Sequence, residues 1–178
     1  VEYGQVINDF RLTYLASLQP VFLEMARHFL DKEDVDLRFL AGWDDKQPLD
    51  LMLKSDLDRD IRYGFTHSGP HRADFQTYLN KRLAKDYLSR GQQKLLVLAL
   101  LLAQVTLLNQ ESPNACCILI DDLTSELDAE NRAKLIKYLV GLSCQVFISS
   151  TDVADFGDLS AIENYKWFHV EHGDVKQL

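Results

Sequence analysis

Between residues 89 and 150 long apolar elements alternate in one order: helix 90–110, strand 116–121, helix 127–140, strand 145–150. Strands that are apolar throughout need cover on both faces, and parallel neighbours need a crossover of about a dozen residues, which the intervening helix supplies. The order therefore predicts an α/β fold with buried parallel strands. A last strand is expected over 165–170, followed by a turn at His172-Gly173-Asp174.

The first half reads differently. Leu12, Leu15, Ala16, Val21, Phe22, Met25 and Phe29 recur near a helical period over 7–30, with Pro20 as a kink or break. Residues 35–40 alternate and run into Ala41-Gly42-Trp43, a strand and turn, and 49–62 suits an amphipathic helix. His67 to His71 is turn-like. Phe75, Thr77 and Leu79 alternate as a hairpin strand expected to return over 84–88. These elements predict a mixed α+β lobe over 1–86 ahead of the α/β part over 87–178.

Charge narrows the function classes. The 178 residues carry 19 Lys plus Arg against 27 Asp plus Glu, a net charge of −8, so bulk electrostatics do not favour nucleic acid and any such contact must be local. One basic stretch stands out: Arg72, Lys81, Arg82, Lys85, Arg90 and Lys94 against Asp74 and Asp86 only. The longest unbroken apolar run, 95–103, falls short of the roughly 18 residues of a membrane span. Cys116, Cys117 and Cys144 lie in apolar segments without metal-ligand spacing, as expected of buried reduced thiols in a cytoplasmic protein.

Three motifs carry chemistry. Leu88-Ser89-Arg90-Gly91-Gln92 opens the long helix, with Ser89 as N-cap and Gln92 three residues on. Locally this is a capping box. The same geometry aims free N–H groups and the positive helix end at one point, and Gly91 clears room for a phosphate. Cys117 to Asp122 is a strand delivering two carboxylates at its carboxyl end, where ligands of open α/β sheets bind. One acid is then free to hold Mg²⁺ while the other polarises a water, and a solvated pair or a helix cap is the plainer alternative. Ser125 to Asp128 is a further helix start, and 145–152 is a strand ending in Ser149, Ser150, Thr151 and Asp152.

In this order the motifs resemble those of ABC-type ATPases: residues 88–92 their signature, 117–122 their Walker B strand, 125–128 their D-loop, with Thr151 where many members have a switch histidine. With the upstream segment from Gly64 through Gly69-Pro70-His71-Arg72, the combination is similar to the RecF branch, related to SMC and Rad50 proteins. The resemblance implies an ATP-binding head that pairs with a second copy. Ser89, Arg90, Gly91 and Gln92 would meet the γ-phosphate held by the other copy. Asp121 would support Mg²⁺, Asp122 would orient the attacking water with Thr151 nearby, and Asp128 would lie at the dimer seam. It further implies DNA binding at single-strand/duplex junctions, with Arg72, Lys81, Arg82 and Lys85 as the phosphate-facing candidates, and action with RecR and RecO in loading RecA.

None of the eight glycines precedes a Lys, so no Gly-x-x-x-x-Gly-Lys phosphate loop is present. The expectation is a C-terminal part of a longer chain, inactive alone. Asp122 in place of Glu and Thr151 in place of His predict slow hydrolysis even in the complete protein. The ATPase half of a membrane transporter and a pure interaction lobe are the competing readings.

Overall fold

The computed structural model describes residues 1–178 except 32, 33, 113–115, 124–126, 143 and 161. It divides into two compact units, 1–116 and 117–178.

In the first unit, helix α1 (Glu2–Leu30) carries a buried stripe of Leu18, Phe22, Met25, Ala26 and Phe29. It packs along α4 (Arg90–Glu111), whose buried positions Leu95, Leu96, Ala99, Leu102 and Ala103 follow the same spacing. Each fully buried Leu or Phe contributes about 1.5–3 kcal/mol, so this seam dominates the unit's stability. The helix runs unbroken through Pro20. That residue is exposed, so the Ala16 carbonyl deprived of its partner is open to water.

Strand β1 (Val35–Leu40) pairs antiparallel with β2 (Asp74–Leu79), and β2 with the short β3 (Arg82–Leu83). Between β1 and β2 lie α2 (Leu49–Tyr63) and a 3-10 turn over Pro70–Arg72. The expected return strand over 84–88 is corrected: the ladder ends at Leu83, and Ala84–Tyr87 form a short helix, α3. Only Tyr78 and Leu79 find partners on β3, because Ala84 turns inward and is buried.

The division at 116/117 lies thirty residues beyond the boundary expected at 86/87, because α4 packs on α1 and so belongs to the first compact unit. α4 is also long and apolar enough, by length and composition, to cross a membrane, which the shorter unbroken run 95–103 concealed. Its buried stripe faces α1, while Val97, Leu101 and Leu108 are exposed.

In the second unit, β4 (Cys117–Ile120) and β5 (Gln145–Ile148) pair in parallel, joined by a crossover containing α5 (Ala129–Val140). The parallel sheet is as expected, but its strands are not buried on both faces: Leu119 is 76% exposed and its register partner Phe147 49%. The cysteines are corrected likewise, since Cys117 is exposed and Cys116 and Cys144 are half-buried. The last strand lies later than expected, at β6 (Phe168–Glu171), and forms a hairpin with β7 (Asp174–Gln177) through left-handed His172 and Gly173.

Candidate functional site

The start of α4 is a full capping box. Ser89 Oγ accepts the Gln92 N–H at 3.3 Å, and Gln92 Oε1 accepts the Ser89 N–H at 3.1 Å. This leaves the backbone N–H groups of Arg90 and Gly91 and the Ser89 hydroxyl proton available at the positive end of the helix. Gly91 is exposed, and a Cβ built there would meet nothing within 4 Å. Glycine weakens a helix relative to Ala, and packing within this unit gives no reason for it.

Gln93 Nε2 donates to the carbonyls of Lys85 and Leu88, each at 3.0 Å, and so ties the helix start to α3 and the β2–β3 hairpin. Lys81, Arg82 and Lys85 are exposed there, with the Arg82 guanidinium 5.6 Å from the Tyr87 ring centroid. Structure and chain order diverge at Arg72. It precedes β2 while Lys81 follows it, and five steps of about 3.3 Å place the ends of that strand roughly 17 Å apart. Arg72 therefore does not join the other three in one basic cluster.

Asn80 and Lys81 both have positive φ, 49° and 63°, as a two-residue hairpin turn requires. Asn tolerates this and Lys does not, at about 1 kcal/mol. Lys81→Gly is expected to raise stability by about that amount, read as a higher denaturant midpoint at unchanged slope. An unchanged or lower midpoint would show that Lys81 is held by something other than the turn.

In the second unit, Asp121 and Asp122 stand exposed just past β4, at the carboxyl end of the parallel pair. Ser149, which the sequence reading left without a role, organises them. Its Oγ donates to Asp121 Oδ1 at 2.6 Å and accepts the Asp122 N–H at 2.9 Å. Backbone bonds from Ser149 N–H to Ile120 O and from Leu123 N–H to Ser149 O continue the pairing past the strand ends. Asp122 adopts left-handed φ of 48°, an uncommon conformation that re-aims the chain there. Thr151 is exposed beyond β5, beside a loop braced by the Ser150 hydroxyl on Asp155 at 2.6 Å.

Asp128 caps α5, accepting the Asn131 N–H at 2.9 Å and both carboxylate oxygens taking Asn131 Nδ2. Hydrogen bonds from Asn131 hold its carboxyl below the ordinary value of 3.8 against a smaller opposing effect of desolvation. The contribution of this cap is thus complete above 3.8 and fades as pH falls through the depressed value. Asp128→Asn, which keeps an acceptor without the titration, is expected to flatten the loss of thermal stability between neutral and acid pH. An equal acid loss in both proteins would assign the pH effect elsewhere. Residues 125 and 126 of the expected D-loop lie outside the described residues.

A sequence family described as RecF/RecN/SMC N terminal domain matches residues 16–175. The chain belongs to this family. It is 41% identical over 176 residues to the DNA replication and repair protein RecF of Stutzerimonas stutzeri strain A1501, covering 97% of this chain and 47% of that protein. The Pseudomonas aeruginosa LESB58 protein of the same description is 41% identical over 172 residues, 96% of this chain and 47% of that one. The chain thus spans about half the length of the curated relatives it matches. A solved structure of the recombination mediator protein RecF-ATPrS in the RecFOR pathway superposes with a TM-score of 0.78 at 26% identity, over 99% of this chain and 48% of that one. A structure described under ATP-driven dimerization of SMC ATPases shares the fold, with a TM-score of 0.54 at 12% identity, over 96% of this chain and 88% of that one. The fold is that of the RecF/SMC ATPase head, in part.

Proposed function

We propose that this chain supplies the signature-bearing part of a RecF-type ATP-binding protein of DNA replication and recombinational repair, acting in the cytoplasm. The observation that carries the reading is the exposed N-terminus of α4, where the Ser89 hydroxyl and the Arg90 and Gly91 N–H groups, with Gln92 closing the capping box, present free donors beside a glycine the unit's own packing does not need. These groups would receive the γ-phosphate of ATP held by a second copy.

Asp121 fits Mg²⁺ in the way a nucleotide site uses it. Such a site takes one or two carboxylates beside phosphate oxygens, and Ser149 orients Asp121 through one oxygen only. No cluster of three metal-ligating side chains occurs among the described residues, so a cage made of protein alone is not on offer. When bound, the ion would neutralise phosphate charge. Asp122 would orient the attacking water, Thr151 would stand near it, and Asp128 would approach the dimer seam through its capped loop.

Lys81, Arg82 and Lys85 form a basic ledge for the phosphates of DNA near single-strand/duplex junctions. RecR, with RecO and RecA, is the partner set, and retention of this chain by immobilised RecR without nucleotide would test that part separately. The half-length match supports a piece of a RecF-type chain; its assignment as the C-terminal part rests on motif order alone.

The chain by itself is expected to show no ATP turnover. Mixed with a segment of a RecF relative that carries a Gly-x-x-x-x-Gly-Lys loop, it should associate in an ATP-dependent way and hydrolyse slowly. Turnover above background by the chain alone, or indifference of the mixture to ATP, would overturn the proposal.

A further inference from the structure

A groove in the first unit, far along β2 from the basic ledge, has its own chemistry. Phe39 and Leu40 at the end of β1, Trp43, Asp45, His67 and Arg72 line an open space of about 390 Å³, within the range of small-ligand sites. Its walls are set by backbone. Gly42 has φ of 88°, and its carbonyl accepts the Gly69 N–H at 3.0 Å, which holds the Trp43 turn against the turn bearing Arg72.

His67 is fixed from behind. Asp60 Oδ1 takes its backbone N–H at 3.1 Å and its ring Nδ1 at 2.7 Å, while the Phe65 and Tyr63 rings lie 4.2 and 5.4 Å from the imidazole. Desolvation pushes the Asp60 carboxyl up, but the hydrogen bonds from His67 outweigh it and hold the group below its ordinary value. With Nδ1 bonded to Asp60, Nε2 is the ring nitrogen left for a ligand. Arg72 and Asp45 are exposed, and neither the Arg72 guanidinium nor the Asp45 carboxylate has a hydrogen-bond or ion-pair partner among the described residues.

We infer that this groove holds one nucleotide of single-stranded DNA, with its phosphate on Arg72, its base on Trp43, and the base's amino group facing the Asp45 carboxylate beside His67. The inference deepens the DNA-binding part of the function proposed above and depends on it. A single cation suits the single charge of a phosphodiester, whereas a free nucleoside triphosphate requires several converging donors. An indole face stacks on any base, so selectivity falls to the Asp45 carboxylate, an acceptor that favours the amino group of adenine or cytosine over thymine.

The chain has two tryptophans, so Trp167→Phe leaves Trp43 as its one indole reporter. This protein is titrated with labelled single strands of about twelve nucleotides, a length within known single-strand site sizes, while Trp43 fluorescence and label anisotropy are followed together. Saturable quenching is expected, with oligo-dA bound about tenfold more tightly than oligo-dT and Arg72→Gln costing about tenfold in affinity at unchanged melting temperature. A rise in anisotropy without Trp43 quenching would overturn the groove and leave DNA binding standing. No anisotropy change at low salt would overturn DNA binding by this chain and the groove with it. Quenching by dAMP as strong as by the oligonucleotide, or equal affinity for dA and dT, would overturn the assignment to an amino-bearing base in a strand.

Discussion

Gly91→Asp is expected to leave the chain folded and to reduce nucleotide-dependent association of the complete protein by on the order of 100-fold, because like charges brought together in an interface cost several kcal/mol. The two halves of this result have separate causes. Within the chain a side chain at 91 meets open space, aspartate is a better helix residue than glycine, and an acid in the first turn suits the helix dipole. The melting temperature should therefore hold or rise slightly. At the proposed pocket the same carboxylate would face the γ-phosphate across the space that glycine leaves. Sedimentation of the complete protein with and without ATP reads the association. A stable variant that still associates fully with ATP would remove the N-terminus of α4 from the nucleotide site.

Gly42→Val has the opposite profile. Here a Cβ would lie 2.4 Å from the Gly69 carbonyl oxygen, 2.6 Å from the Ala73 nitrogen and 2.7 Å from the Arg72 carbonyl carbon, all backbone atoms that cannot swing aside. The left-handed φ of 88° adds its own penalty. Together these should destabilise the first unit by about 3 kcal/mol or more. Gly64→Ala is the control: φ is 75° there too, but a Cβ meets nothing within 4 Å, so the cost should stay near 1 kcal/mol. Equal losses in denaturant unfolding would mean that backbone conformation alone, and not the close approach of the two turns, governs Gly42.

The contrast between these glycines explains how much of the site could be read in advance. Ser89, Gly91 and Gln92 were legible because a helix start is local: the cap, the glycine and the reciprocal glutamine lie within four residues and act on one another's backbone. Asp121 and Asp122 were legible for a similar reason, since an apolar strand fixes where its terminal acids emerge. Ser149 was not. Its hydroxyl matters only because β4 and β5 pair with Ile120 beside Ile148, which brings residues 28 positions apart within 2.6 Å. The groove was equally hidden, because its parts come from the end of β1, the end of α2 and the turn before β2, and only Gly42 against Gly69 unites them.

The strands over 84–88 and 165–170 were misplaced for a related reason. Ala84 to Leu88 contains no strong strand former besides Tyr87, and burial of Ala84 turned the chain into α3; at the C-terminus the His172-Gly173 turn centred the hairpin later. The sequence by itself determined the order of helices and parallel strands, the caps, and which residues stand at element ends, because these depend on periodicity and on neighbours a few positions apart. Tertiary structure alone decided that α4 belongs with α1, that Arg72 lies apart from Lys81, Arg82 and Lys85, and that Ser149 clasps the paired acids. Those outcomes depend on strand register and on which faces meet, and neither is encoded in any short stretch of chain.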